Sequence, residues 1–260
     1  MISLGNALSS VKDDEKWIKK IAIGGLISIL ALLGYCLSDS HSMSIGLRVV
    51  WFILYLISGA FISGFIITTA QNQINNDSNT WAEWSEPKLF FKGIKYILSY
   101  FVYIFTITII FMLIGTILTL AVSLVLGLIY YLINLALNLN PQFVSTLAFI
   151  IFTILMIFVG LYLMQFLNAA LISYYKNHKF HDIMALKKHF KMISENQHTA
   201  WTLVGKEILY GLLFLLIYIV LSITVIGVIA IPFVYFTSFI VITNLYAQYA
   251  KEIEIGKYID

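Results

Sequence analysis

Hydrophobic residues fall along this chain in long unbroken runs separated by short lysine-bearing segments, without the period-two alternation of half-buried strands. Runs of about twenty residues or more cover roughly 18–37, 46–70, 96–119 and 143–173, and a longer apolar region covers 201–249. That last region divides at "SITVIGVIAIP", where Gly227 loosens a helix and Pro232 removes a backbone donor, which predicts spans near 202–222 and 227–249. Because lipid offers the backbone no hydrogen-bond partners, runs of this kind specify helices. The predicted fold is all-α: a polytopic transmembrane helical bundle of about six spans plus interfacial amphipathic helices.

The interval from Lys95 to Lys176 contains no charged side chain. A single helix over 97–137 would measure roughly 60 Å, twice the roughly 30 Å hydrocarbon core, so the pattern predicts that it breaks, tilts or lies down. Within 120–140, Ser123, Gly127, Tyr130 or Tyr131, Asn134 and Asn138 recur every three or four residues and form one mildly polar stripe. The expectation is a separate helix that does not cross, lying at the outer interface or re-entering against the bundle. An ordinary spanning helix whose small and amide residues pack on neighbours remains the alternative. Pro141 marks the restart of the chain into the next helix.

Charge orients these elements. Lysines cluster at 12, 16, 19 and 20, at 88, 92 and 95, at 176, 179, 187, 188, 191 and 206, and at 251 and 257, whereas Arg48 stands alone in the opposite set of loops. The positive-inside rule then puts both termini on the cytoplasmic side of the cell membrane, with Asp39 and Asn140 outside. Two flanking cytoplasmic lysine groups also demand an even number of crossings between Lys95 and Lys176. Composition agrees with the class: 60% of residues are hydrophobic and 11% charged, with a mean hydropathy of +0.91. The first apolar run follows "KDDEKWIKK" and is read as a retained anchor. Cys36 is the sole cysteine, so no intrachain disulfide forms.

The lysine groups repeat a design. Lys12, Lys16 and Lys19 share the spacing of Lys88, Lys92 and Lys95, and Lys187 and Lys191 begin a similar face beside Lys188. In the third group Ile183, Leu186, Phe190 and Ile193 form the apolar stripe of a helix lying among lipid headgroups. Three such elbows, each followed by a helix pair, divide the single membrane domain 1–260 into repeats at 1–70, 71–175 and 176–260; ordinary lysine anchoring of spans is the alternative. These lysines are the candidate headgroup contacts, and membrane lipids the expected partners. Gly59 and Ser63, with Ala60 and Gly64, make a small-residue surface for close helix packing, whether within the chain, in a homo-oligomer or with another membrane protein.

Candidate chemistry is sparse. "NHKFHD" places His178, His181 and Asp182 together with His189 beyond, but the spacing matches no strong zinc signature and the segment is lysine-rich. A solvated loop is the simpler reading. No nucleophile elbow or phosphate loop is present, and the +3 net charge reflects topology, with no nucleic-acid partner implied. No catalytic residue, metal ligand or cofactor set is expected. Spans read as free of Asp, Glu, Lys and Arg, which argues against ion-coupled carriage; Gln165, Asn168, Asn244 and Gln248 read as interhelical hydrogen-bonding groups.

Four segments carry a resemblance: "KDDEKWIKKIAIGGLISIL", "WAEWSEPKLFFKGIKYI", "NAALISYYKNHKFHDIMALKKHF" and "IGVIAIPFVYFTSFIVITNLYAQYA". In this order they resemble a prokaryotic membrane-protein family classed as domain of unknown function 4013, most specifically in Trp17, Gly24, Gly25, Trp81, Trp84 and Gly93. The resemblance implies a six-helix integral membrane protein without assigned catalytic residues. The functional expectation is a non-enzymatic module that binds lipid or a partner protein, with a permease or transporter component as the alternative.

Overall fold

The computed structural model describes residues 2–39, 43–75, 81–137 and 141–258, and these are helical with no strand among them. In chain order the helices are α1 (Leu4–Ser9), α2 (Trp17–Ser38), α3 (Ile45–Asn75), α4 (Leu89–Leu137), α5 (Pro141–Asn177), α6 (Phe180–Ile183), α7 (Leu186–Glu195), α8 (Gln197–Ser222) and α9 (Val225–Glu252). Six of them, α2 to α5, α8 and α9, are long and apolar enough to cross a membrane.

Glycine decides how the inner helices meet. A β-carbon on Gly93 of α4 would lie 1.7 Å from the Ala60 carbonyl oxygen, and one on Gly64 of α3 would lie 1.9 Å from the Leu89 carbonyl oxygen. The two backbones therefore touch, and only hydrogen side chains permit it. Gly24 and Gly25 of α2 do the same for Phe236 and Phe233 of α9, and Gly34 for the α3 backbone at Trp51. The Ala60/Gly64 half of the expected packing surface is thus consumed inside the chain. Gly59 meets nothing within 4 Å, so the other half stays open.

The lysine-bearing segments gather at one end of the bundle. The Ser3 backbone is held by Gln248 of α9, Asn75 donates to the Lys176 carbonyl, and Asn196 donates to the Tyr258 hydroxyl. The break between α8 and α9 falls where "SITVIG" predicts it. There Thr224 caps α9 by accepting from the Gly227 N–H, and Gly227 lets the Leu221 carbonyl approach to within 2.0 Å of a β-carbon position. Pro232, expected to help break the chain, instead sits inside α9.

Two expectations need correction. No break separates 96–119 from 120–140: α4 runs unbroken for 49 residues, about 73 Å at 1.5 Å per residue. Nothing between Thr116 and Leu128 interrupts the backbone ladder: the helix tolerates the isolated Gly127, and Thr116 and Thr119 return their hydroxyls to carbonyls one turn back. Even tilted by 40°, a helix crosses a roughly 30 Å core with about 26 residues, so α4 exceeds any ordinary span. Asn138 and Asn140, named in the stripe and the topology, lie outside the described residues. Pro141 does open α5, so that α4 and α5 are two separate long helices between Lys95 and Lys176. Their outer turns expose Leu120, Leu124, Leu128, Phe149 and Phe158.

The second correction concerns α7. His189, Met192 and Ile193 face the bundle, packed by α5 and α8, while Lys187, Lys188 and Lys191 face outward as expected. Phe190, assigned to the apolar stripe, is 64% exposed and lies beside Phe166. The face turned to the protein includes His189, whose ring is satisfied there by the Asp182 carbonyl.

Candidate functional site

Two elbows lock together through an ion cluster in which Lys20 and Asp14 are buried and Glu83 is half-exposed. Lys20, 3% exposed, reaches Asp14 Oδ2 at 2.8 Å, Glu83 Oε1 at 3.0 Å and the Trp81 carbonyl at 3.2 Å. Asp14 also accepts from the backbone N–H groups of Lys16 and Trp81, while Trp84 Nε1 donates to the Lys20 carbonyl. Burial alone raises the Asp14 pKa, but the Lys20 and backbone hydrogen bonds outweigh it and hold the carboxyl below its ordinary value. The Trp84 ring stacks on Phe65 at 4.1 Å and leans on Phe236 at 5.6 Å. Trp81, Trp84, Gly24 and Gly93 therefore have architectural work at one junction of α2, α3, α4 and α9.

The candidate lipid contacts divide into two kinds. Lys12, Lys16, Lys88, Lys95, Lys187, Lys188 and Lys191 are exposed, with Lys16 also 3.6 Å from Glu83 and Lys191 3.9 Å from Glu195. Lys92 is half-buried and donates to the Thr68 hydroxyl at 3.1 Å.

The histidines do not converge. His178 Nε2 lies 2.5 Å from Gln71 Oε1, His189 Nε2 lies 2.9 Å from the Asp182 carbonyl, and the His181 side chain is exposed. Among the described residues no three His, Cys, Asp or Glu side chains are placed to share a metal ion. Burial holds both His178 and His189 near a pKa of about 4, with Lys92 and Lys95 adding to the effect at His178. Both imidazoles are neutral at pH 7.

Between α2, α3, α4, α5 and α9 lies a half-open cavity of about 710 Å³. Its walls are chiefly apolar, with tyrosine rings from Tyr35, Tyr55, Tyr96, Tyr100, Tyr175 and Tyr246 and small hydroxyls from Ser28 and Ser63. Gly59 and Ser63, predicted as packing residues, line it. A pocket of this volume and lining suits a largely hydrocarbon ligand with few polar groups.

Behind Tyr246 stands a residue that sequence reasoning missed. Glu207, 5% exposed, accepts a hydrogen bond from Asn168 Nδ2 at 2.6 Å, and the Tyr246 hydroxyl approaches Asn168 Oδ1 at 3.4 Å. The spans are thus not free of acidic groups. "GKEILYG" reads as the charged margin of a helix because Lys206 precedes Glu207, but α8 starts ten residues earlier and carries Glu207 into the bundle. A carboxyl near the first turns of a long span was the available signal. Asn168 is interhelical as expected, Asn244 and Gln248 pair along α9, and Gln165 is buried without a protein partner.

Comparison with curated proteins and with solved structures gives no match. Residues 47–226 match the family model described as "Protein of unknown function (DUF4013)". The match covers well over half the chain, from the start of α3 to the start of α9, and the protein therefore belongs to that family.

Proposed function

We propose that this multi-pass protein is a non-enzymatic lipid-binding module of the cell membrane, with both termini cytoplasmic, that holds a lipid chain in the cavity between α2, α3, α4, α5 and α9. The cavity itself carries the reading: about 710 Å³ of mostly apolar space among helices long enough to span a bilayer, where the surrounding solvent is hydrocarbon. The exposed lysines of the elbows support it, since each basic residue near an anionic surface contributes on the order of 1 kcal/mol of attraction.

Gly59 provides the test. A β-carbon there meets no atom within 4 Å, so Gly59→Leu adds bulk to the cavity wall without a backbone clash. The variant is expected to fold with an unchanged melting temperature and to carry less lipid through purification, as measured by native mass spectrometry. Equal lipid content in the variant and the parent protein would refute the reading.

A second reading, a permease component, draws on Glu207, because buried carboxyls in spans commonly mark ion or substrate paths. Solute uptake into sealed proteoliposomes that is lost in Glu207→Gln would favour it over the first.

A further inference from the structure

At the lysine-bearing end of α4 and α5, four observations meet. His178 adopts φ 55°, a left-handed conformation that few non-glycine residues hold without support from their surroundings. Its Nε2 faces the Gln71 side-chain oxygen at 2.5 Å, which makes Nε2 the protonated nitrogen of the neutral ring, and its buried Nδ1 has no protein partner. Lys92 is drawn inward onto Thr68. Lys92 and Lys95 both bear electrostatically on the imidazole, and among the described residues neither forms an ion pair with a carboxylate.

Two ammonium groups and an imidazole with a free nitrogen, without a compensating acid, form an incomplete charge set. The remaining groups around His178 do not complete it. Tyr174 presents its ring edge-on at 5.7 Å, and Asp182 accepts from Asn177 and lies 3.8 Å from His181. Lys176, Lys179 and His181 add only basic groups, and α3 contributes the neutral Thr68 and Gln71.

We propose that Lys92, Lys95 and His178 bind a phosphate group at this end of the bundle. The two lysines act as point charges, and the bound anion favours protonation of His178 at Nδ1, so that the ring donates from both nitrogens once the pH falls into its raised range. The position connects with the cavity: Tyr96 and Tyr100 follow Lys92 at one and two turns on the same face of α4, and Tyr175 precedes His178 by three residues. A phospholipid headgroup is one source of such a phosphate and a soluble phosphate the other. The headgroup assignment rests on the lipid reading of the cavity; the phosphate site does not.

The experiment is a histidine titration by NMR on the full chain in maltoside micelles and in phospholipid nanodiscs, with His178 assigned through His178→Gln. Delipidated in maltoside micelles, which carry no phosphate, His178 is expected to titrate near 4, as its surroundings dictate. In discs containing phosphatidylglycerol, its pKa should rise by about one unit or more, the usual effect of a nearby opposite charge, and Lys92→Gln should remove the rise. His189, remote from Lys92 and Lys95 in its hydrogen bonding, serves as the internal control for folding and should not move. A rise with inorganic phosphate in maltoside micelles, and none in phosphatidylglycerol discs, would support the site and assign a soluble ligand. No rise with either overturns the proposal. If the cavity reading fails, Gly59→Leu leaves the lipid content unchanged while the His178 response persists, so the two failures are distinguishable.

Discussion

Replacing Lys20 with methionine is expected to cost about 3–5 kcal/mol of stability, the usual penalty for removing one partner of a buried ion pair. Methionine keeps the length of the side chain, so packing changes little. What changes is Asp14, which is 7% exposed and would lose its closest cation while still closed off from water. The Trp81 carbonyl loses a donor in the same step. Because these contacts join α2 and the segment before it to the segment before α4, the loss should separate two elbows and loosen the Trp84 stack on Phe65. Unfolding midpoints in a denaturing-detergent titration would measure it, with Lys19→Met, an exposed neighbour, as the comparison expected to stay within about 0.5 kcal/mol. Combining Lys20→Met with Asp14→Asn should recover part of the loss, since the uncompensated charge is then gone. Equal stability of Lys20→Met and Lys19→Met would show that the cluster is dispensable.

Acid should destabilise the protein well above the pH at which carboxylates titrate. His189 is 1% exposed, and burial holds its pKa at about 4 against an ordinary value of 6.5. Its folded-state pKa is depressed, so between pH 6.5 and 4 the unfolded chain binds the proton that the folded chain refuses. Stability is therefore full above about pH 6.5 and falls as the pH drops toward 4, by about 3 kcal/mol for a difference of this size. His178 acts in the same direction but is less buried, and its share is smaller after solvent screening. Asp14 contributes in a lower window: its pKa is depressed below 3.8, so its stabilisation is present above that value and lost as the pH falls below it. His189→Phe should be less stable at pH 7, because the Asp182 carbonyl loses its donor, yet show a flatter loss of stability between pH 6.5 and 4. An unchanged slope in that variant would assign the acid sensitivity elsewhere.

The apolar runs alone located six spans, because a bilayer tolerates only backbones that satisfy their own hydrogen bonds, and Gly227 marked the turn between the last two. The small residues Ala60 and Gly64 were legible as a packing surface, since close approach has a local signature, but Leu89 and Gly93 as their partners were not. Continuity of α4 through 120–137 escaped the pattern because hydropathy reports how much apolar length there is and says nothing of where a ladder without a breaker stops. Glu207 escaped because its environment comes from Asn168 and Tyr246, dozens of residues away in the chain. Lys20 looked like one more basic residue of an anchoring group, and only the fold shows it enclosed between Asp14 and Glu83. What the sequence by itself determined was class, span count and the basic segments, all of which depend on local composition measured against a lipid solvent. Only the tertiary structure decided which lysine is buried, that Lys92 and His178 reach Thr68 and Gln71 of the same helix, and that Gly59 opens on a cavity, because burial and charge pairing are set by neighbours from other helices.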